Sequence, residues 1–301
     1  MNRKQLGILL MVLSATFLAT SVILMKQIPL VTNLAPKDVA IWRFTIAAPV
    51  LWLVRLIPQA QKPSRITKHR KYLLLGVVYA LASFNAVFAL ERLSSSLYVI
   101  IVFIYPSLVV LISTFTGRSV PHLVWFGLPL TLGGLFLVSY DFDTKLAMDL
   151  FGFIITLINS IWMAAYVILS EKVFRNGGDK LTGTNWVMTG AMLAGWILIP
   201  VLGVRFPDSQ LGWLLVVAFG IIGTMLPILT MNIGLQYLGA ARGSVIITLQ
   251  PVLTVLFSTL FLRETLSLQQ WVGGLLVIAA VVMLQLSGDR VGRKEPKQSH
   301  A

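Results

Sequence analysis

Apolar residues run through this chain in ten long stretches that are separated by short polar segments. The stretches predict membrane-spanning helices near residues 5–25, 38–56, 72–90, 97–116, 123–140, 150–170, 184–203, 212–235, 244–262 and 269–287. Each is close to the roughly 20 residues that a helix needs to cross about 30 Å of hydrocarbon. We therefore expect an all-α integral membrane protein with ten transmembrane helices.

Composition and charge support a membrane protein and suggest its orientation. Only 12% of the 301 residues are charged, whereas soluble domains carry about 25%. The net charge of +13 arises from Lys and Arg concentrated in loops on the same side as both termini. Since cytoplasmic loops are enriched in these residues, we expect a multi-pass protein of the bacterial inner-membrane type, with both termini cytoplasmic. The lipid bilayer is then the expected partner, and nucleic acid is not.

The chain contains an internal repeat at an offset of 145 residues. This offset places Gly7, Ala19, Val22, Leu90 and Pro106 on Gly152, Ala164, Val167, Leu235 and Pro251. We expect five-helix repeats at 1–145 and 146–288, followed by a basic cytoplasmic tail at 289–301. Five is an odd number of spans, so the second repeat must enter the membrane from the opposite side. Such inverted-topology repeats are typical of secondary transporters, in which the halves enclose a site near the midplane.

Several short motifs resemble the EamA-type ten-helix members of the drug/metabolite transporter superfamily. They are Gly7 through Phe17, Gly152 through Trp162 (GFIITLINSIW), Arg43-Phe44, Pro106, Pro251 and Leu262-Arg263-Glu264. Gly117-Arg118 departs from the family, which usually has Gly-Glu at that position. The resemblance implies alternating-access export or exchange of small metabolites such as amino acids, through a cavity lined by helices 1–4 and 6–9.

The first and sixth spans carry candidate substrate-binding residues at equivalent depth. Ser14 and Phe17 share one helical face, and the repeat aligns them with Asn159 and Trp162. Tyr166 lies one turn further along the same face as Trp162. Polar side chains inside a membrane usually face protein or a water-filled cavity, so we expect these residues to line a binding pocket. The alternative is hydrogen bonding between packed helices.

Further candidates lie in spans 3, 4 and 9. Tyr105 and Gln250 are equivalent in the repeat, and each directly precedes a proline, Pro106 or Pro251. A proline removes one helical hydrogen bond, so both prolines are expected to form kinks or hinges. Asn85 is the candidate from span 3. Tyr79 and Ser83 share another face of that span, so not all of its polar groups can line one cavity.

Arg43 is the only fully charged residue that lies well inside a predicted span. One interpretation makes it a contact for an anionic or carboxylate-bearing solute, because guanidinium pairs well with carboxylates. The other lets its long side chain extend to the membrane interface. Small residues at spacing four, such as Gly76/Ala80 and Gly190/Ala194, predict close helix packing.

Several residue types and motifs are absent from the sequence, and their absence argues against some classes of function. There is no cysteine, no P-loop motif and no Asp or Glu in the middle of a predicted span. We therefore expect no cofactor and no metal site, and the lack of a buried carboxylate argues against a simple proton antiporter. An enzyme is not expected. The alternatives left open are a membrane enzyme acting on a lipid-like substrate and a non-transporting membrane protein. The oligomeric state is not predicted.

Overall fold

The computed structural model describes a helical bundle. The described residues are 3–55, 69–105, 108–109, 112, 126, 129–130, 133–134, 136–137, 149–174, 180–238, 246–247 and 249–291. They form ten helices: α1 (Arg3–Val31), α2 (Pro36–Arg55), α3 (His69–Arg92), α4 (Ser95–Val102), α5 (Leu150–Phe174), α6 (Lys180–Leu202), α7 (Gln210–Gly220), α8 (Leu226–Leu238), α9 (Leu249–Leu262) and α10 (Leu268–Val291). A π-helical segment, Ile221–Met225, joins α7 to α8.

The helices confirm the predicted all-α membrane fold. The eighth predicted span (212–235) corresponds to α7, the π segment and α8 together. Each other predicted span coincides with one helix, apart from the fifth (123–140) and the second half of the fourth, which lie largely outside the described residues. Helix α1 continues six residues beyond its predicted end, and α10 ends at Val291, inside the predicted tail. Among the described residues, five stretches are long and apolar enough to cross a membrane: Arg3–Val31, His69–Arg92, Leu150–Ser170, Leu181–Val201 and Gln210–Met231.

Local sequence explains where several helices begin. Helix α2 begins with Pro36, whose missing N–H costs nothing in a first turn, and the Asp38 carboxylate accepts a hydrogen bond from the Ala35 N–H at 2.8 Å. Ser94 and Ser209 cap α4 and α7 by accepting from the backbone N–H groups of Leu97 and Gly212. These caps satisfy N–H groups that would otherwise lack partners at the helix starts.

Helices of the two predicted repeats pack against each other within one bundle. The largest interfaces each join a helix of the first repeat to one of the second, namely α3 to α6, α1 to α8 and α3 to α5. At the crossing of α3 and α6, a Cβ added to Gly76 would collide with the Val187 carbonyl, and one added to Gly190 would collide with the Leu73 carbonyl. These glycines confirm the predicted close packing, because only glycine lets the two backbones approach so far.

The outside of the bundle is strongly apolar. Ile197, Val201, Leu214, Leu260 and Leu268 are each at least 64% exposed. Such a surface suits a bilayer, in which hydrocarbon replaces water as the solvent of the protein exterior. The polar groups that the helices carry are found inside the bundle instead, and their arrangement defines the candidate site.

Candidate functional site

Arg43 lies inside the bundle, about 10 Å along α2 from its first residue. Its side chain is 5% exposed, so it does not extend to the membrane interface. Its Nε donates to the Thr224 hydroxyl at 3.1 Å, and its Nη1 donates to the Ser83 hydroxyl at 2.9 Å. The guanidinium carbon also lies 5.0 Å from the Phe44 ring centroid and 4.8 Å from that of Phe219. Arg43 thus links α2 to the middle of α3 and to the π segment.

The π segment places Thr224 beside Arg43. Pro227 has no N–H to donate to the carbonyl of Gly223, and a proline ring crowds the preceding turn of a helix. The helix widens into π geometry just before this proline, and the Thr224 hydroxyl donates to the Phe219 carbonyl five residues earlier, at 3.1 Å. π-Helical turns of this kind often occur at functional sites. Ser14 of α1 donates to the Pro227 carbonyl at 2.8 Å and ties this region to the first helix.

Two tyrosines lie near the guanidinium, and Tyr166 and Asn159 contact those tyrosines. The Tyr79 and Tyr98 phenols lie close enough to interact electrostatically with Arg43. The Tyr79 ring packs against the Tyr166 ring, with 5.0 Å between their centroids, and the Asn159 Nδ2 donates to the Tyr98 hydroxyl at 2.9 Å. The Arg43 cluster therefore consists of Arg43, Tyr79, Ser83, Tyr98, Asn159, Tyr166 and Thr224.

One polar atom in this cluster lacks a partner. Asn159 is 1% exposed, and its Oδ1 forms no hydrogen bond within the described part of the chain. Exchanging the two ends of the amide would leave the nitrogen unpaired instead, because Tyr98 satisfies only one end. Leaving a buried polar atom unpaired typically costs about 1–3 kcal/mol. The cluster is thus incomplete as it stands.

The structure brings together some of the residues predicted from the sequence. Arg43, Asn159 and Tyr166 belong to the Arg43 cluster, and Ser14 is bonded next to it. Phe17, Trp162 and Gln250 are partly buried, and within the described residues none has a hydrogen bond or ring contact to the cluster. Pro251 is buried in α9, whereas Pro106 lies outside the described residues.

Two predicted residues form local contacts instead. Asn85 donates to the Leu81 carbonyl of its own helix at 3.1 Å. The Tyr105 ring packs against the Phe103 ring, with 5.7 Å between their centroids. On α3 it is the opposite face, carrying Tyr79 and Ser83, that joins the Arg43 cluster. The shared face of these two residues was visible in the sequence, but the sequence does not show which face points to α2. Tyr98 and Thr224 were not predicted either. The repeat offset, which pairs Tyr79 with Thr224, is the signal that would have found the latter.

A second group of charges, which is partly buried, lies near the ends of α1 and α9. Glu264 accepts from Lys26 Nζ at 2.9 Å and from the backbone N–H groups of Ser95 and Ser96 at 2.8 and 3.1 Å. Ser96 and Ser258 share a hydrogen bond between their hydroxyls. Burial raises the pKa of Glu264, but the hydrogen bonds from Ser95 and Lys26 outweigh this effect and hold its pKa below the ordinary value. We call these five residues the Glu264 cluster.

A cavity of about 520 Å³ lies beside Lys26, at the same end of the bundle. Asn33, Glu91 and Arg205 contribute its other polar walls, where α1, α2 and α3 end or begin. The positive-inside rule predicts that this end is external. Throughout the described residues there is no group of three His, Cys, Asp or Glu side chains suited to a metal ion.

Comparisons with known proteins agree with this architecture. A family model described as the EamA-like transporter family matches residues 5–140 and, a second time, residues 150–286. The uncharacterized transporter YcbK of Bacillus subtilis (strain 168) is 25% identical over 274 residues, which cover 86% of each chain. An uncharacterized transporter of Archaeoglobus fulgidus is 24% identical over 216 residues, or 71% of this chain and 76% of the relative.

Two further similarities extend this picture. The uncharacterized inner membrane transporter YicL of Salmonella typhimurium is 24% identical over 238 residues, covering 76% of this chain and 78% of the relative. A solved crystal structure covers 91% of this chain and 98% of its own, with a TM-score of 0.59 at 19% identity. At that identity, the structural match shows a shared fold.

Proposed function

The chain belongs to the EamA-like transporter family of multi-pass membrane proteins, and on this premise we propose that it is a secondary transporter for small metabolites such as amino acids. It exports or exchanges them by alternating access. The observation that carries the proposal is the Arg43 cluster, a buried group of polar and aromatic side chains whose hydrogen-bonding capacity is not filled. Binding sites for small solutes combine apolar walls with a few such polar groups.

The cluster draws its residues from both repeats. Arg43, Ser83 and Tyr98 come from the first, whereas Asn159 and Thr224 come from the second. A site held between two halves changes its exposure when one half moves against the other, which is the basis of alternating access. The π segment supplies a local irregularity of the kind that transporters use around their central sites.

The proposed setting is a bacterial inner membrane with both termini cytoplasmic. The positive-inside distribution of Lys and Arg supports this orientation, and one relative, YicL, is named as an inner membrane transporter. The acids of the described helices lie toward the helix ends, for example Asp38 and Glu91. This placement favours facilitated exchange, or coupling through a carboxylate near a helix end such as Glu91 or Glu171.

Flux into proteoliposomes tests the proposal. Purified protein is reconstituted, preloaded with unlabelled solute and supplied with radiolabelled amino acids and small organic acids one at a time. We expect saturable counterflow for at least one solute, and a loss of at least tenfold in Asn159→Leu, which fills the site with an apolar side chain. Leu214→Ala, on the exposed surface of α7, is the matched control and should transport like the wild type. If no solute in the panel shows saturable counterflow, the chain is not the transporter proposed.

A further inference from the structure

The charge of Arg43 has no counter-ion among the described residues. The two ion pairs of the described structure, Lys26–Glu264 and Arg92–Asp149, both lie elsewhere. Around Arg43 the contacts are the hydroxyls of Ser83, Thr224 and Tyr79 and the ring faces of Phe44 and Phe219, with the Tyr98 phenol nearby. These groups orient the guanidinium, but every one of them is neutral.

A buried guanidinium without an anion is costly. Arginine stays protonated in proteins, so it does not escape the cost of burial by losing its charge. Hydroxyls and ring faces replace part of the lost hydration, but they leave the net charge unbalanced in a low-dielectric interior. Charged residues within membrane spans are accordingly rare, and they are mostly paired or placed along a substrate pathway. No described residue balances the charge, and an anion that enters from outside would do so.

The unpaired polar atom of Asn159 adds a second requirement. It belongs to the same cluster, because its other end bonds Tyr98, whose phenol interacts with the Arg43 charge. A molecule that reaches both groups needs an anionic end and a separate polar group. The rings of Phe44, Tyr79 and Tyr166 pack against one another and offer an apolar surface beside the guanidinium.

We infer that the transported solute is a small organic anion whose carboxylate pairs with Arg43 while a second polar group of the same molecule hydrogen-bonds Asn159. The planar guanidinium suits a carboxylate, because it offers two parallel N–H donors in a fixed geometry. Arg43 is therefore the residue that selects for charge, and Asn159 selects for a hydroxyl or amino substituent. This inference rests on the proposed function and adds a substrate class to it.

Matched acids and amides test the charge requirement on the wild-type protein. The unfolding midpoint of purified protein is measured with phenyllactate and hydrocinnamate, and with the amide of each, in a buffer free of other carboxylates. The acids should raise the midpoint, and each amide should bind about tenfold more weakly or worse, because it lacks the charge that Arg43 needs. Phenyllactate should bind more tightly than hydrocinnamate, which has no second polar group for Asn159. Sodium chloride and sodium sulfate are added separately to test inorganic anions.

Variants then assign the effect to particular residues. Arg43→Gln should abolish the preference for acid over amide, and Arg43→Lys, which keeps the charge, should retain part of it. Asn159→Ala should remove the advantage of phenyllactate over hydrocinnamate. The inference is overturned if acids and amides act alike, if no acid raises the midpoint, if chloride acts as strongly as the acids, or if Arg43→Gln keeps the preference. Should Arg43→Gln fail to fold, the wild-type comparison still decides the question.

The flux assay separates this inference from the function on which it rests. Saturable counterflow of an uncharged solute that Arg43→Gln leaves unchanged would support the transporter and refute the organic-anion substrate. The absence of counterflow for every solute would instead refute the transporter itself.

Discussion

The buried Arg43 and the partly buried Glu264 differ in how their charge is balanced. The Glu264 carboxylate forms an ion pair with Lys26 and accepts hydrogen bonds from two backbone N–H groups and one hydroxyl. The chain itself therefore balances its charge and satisfies its oxygens. Arg43 donates hydrogen bonds to neutral hydroxyl groups and lies over two aromatic rings, and no anion pairs with it in the described structure. Removing one member of a satisfied group leaves its partners unpaired and destabilises the fold, whereas a charge that is unbalanced within the fold points to a role in function.

The positions of the two groups reinforce this difference. The Glu264 cluster lies at one end of the bundle, where it fastens the start of α4 to the end of α9. The Arg43 cluster lies inside, between α2, α3 and the π segment. The repeat offset also places buried Met188 opposite Arg43, so the positive charge occurs in one half only. We therefore expect substitutions in the two clusters to affect different properties.

The largest expected effect is the loss of transport in Arg43→Met. Removing a buried charged partner of a ligand typically costs about 2–5 kcal/mol, which corresponds to a reduction of roughly thirtyfold or more in the initial rate at subsaturating solute. The free energy of unfolding without ligand should change by less than about 1 kcal/mol or increase, because an unbalanced buried charge is replaced by an apolar side chain. Counterflow and denaturant unfolding in detergent measure the two quantities. Normal transport together with a large loss of stability would reverse the assignment of Arg43.

Glu264→Gln should show the opposite behaviour. The substitution leaves Lys26 without its anion and weakens the hydrogen bonds to the start of α4, so we expect the free energy of unfolding to fall by about 1–3 kcal/mol. Because the group is partly exposed, this loss should be smaller than that of a fully buried pair. Asp149→Asn breaks the exposed pair with Arg92 and is the matched control, with a much smaller expected loss. An equal loss in the two variants would mean that the Glu264 cluster has no special structural role.

The stabilising effect of Glu264 should also depend on pH. Its pKa in the folded protein lies below the ordinary value of 4.5. A carboxylate with a lowered folded-state pKa contributes stability above its unfolded pKa, and this contribution is lost as the pH falls through the folded value. The difference in unfolding midpoint between the wild type and Glu264→Gln should be constant near neutral pH and should disappear as the pH falls below about 4.5. A gap that persists unchanged at the lowest pH would contradict the assignment.

Much of the fold was predictable from the sequence, because hydropathy and the 145-residue repeat depend on local composition and spacing. The site was predictable only in part. Arg43 and Asn159 stood out as polar residues within apolar spans, but helical periodicity alone does not show which face of α3 meets α2. The placement of Thr224 beside Arg43 depends on how α2 meets the π segment, and the role of Glu264 depends on the distant start of α4. Both are tertiary contacts that no local pattern contains.

The smallest expected effects come from the hydroxyls that orient Arg43. Ser83→Ala removes one acceptor and leaves the guanidinium in place, so we expect a three- to tenfold weaker apparent affinity for the acid, equivalent to about 1 kcal/mol. Thr224→Val should have a larger effect, because this hydroxyl both accepts from Arg43 and donates to the Phe219 carbonyl of the π segment. Concentration dependence of counterflow measures both affinities. If the hydroxyls only fill space, the two variants will match the wild type, and the guanidinium must be oriented by the rings of Phe44 and Phe219 alone.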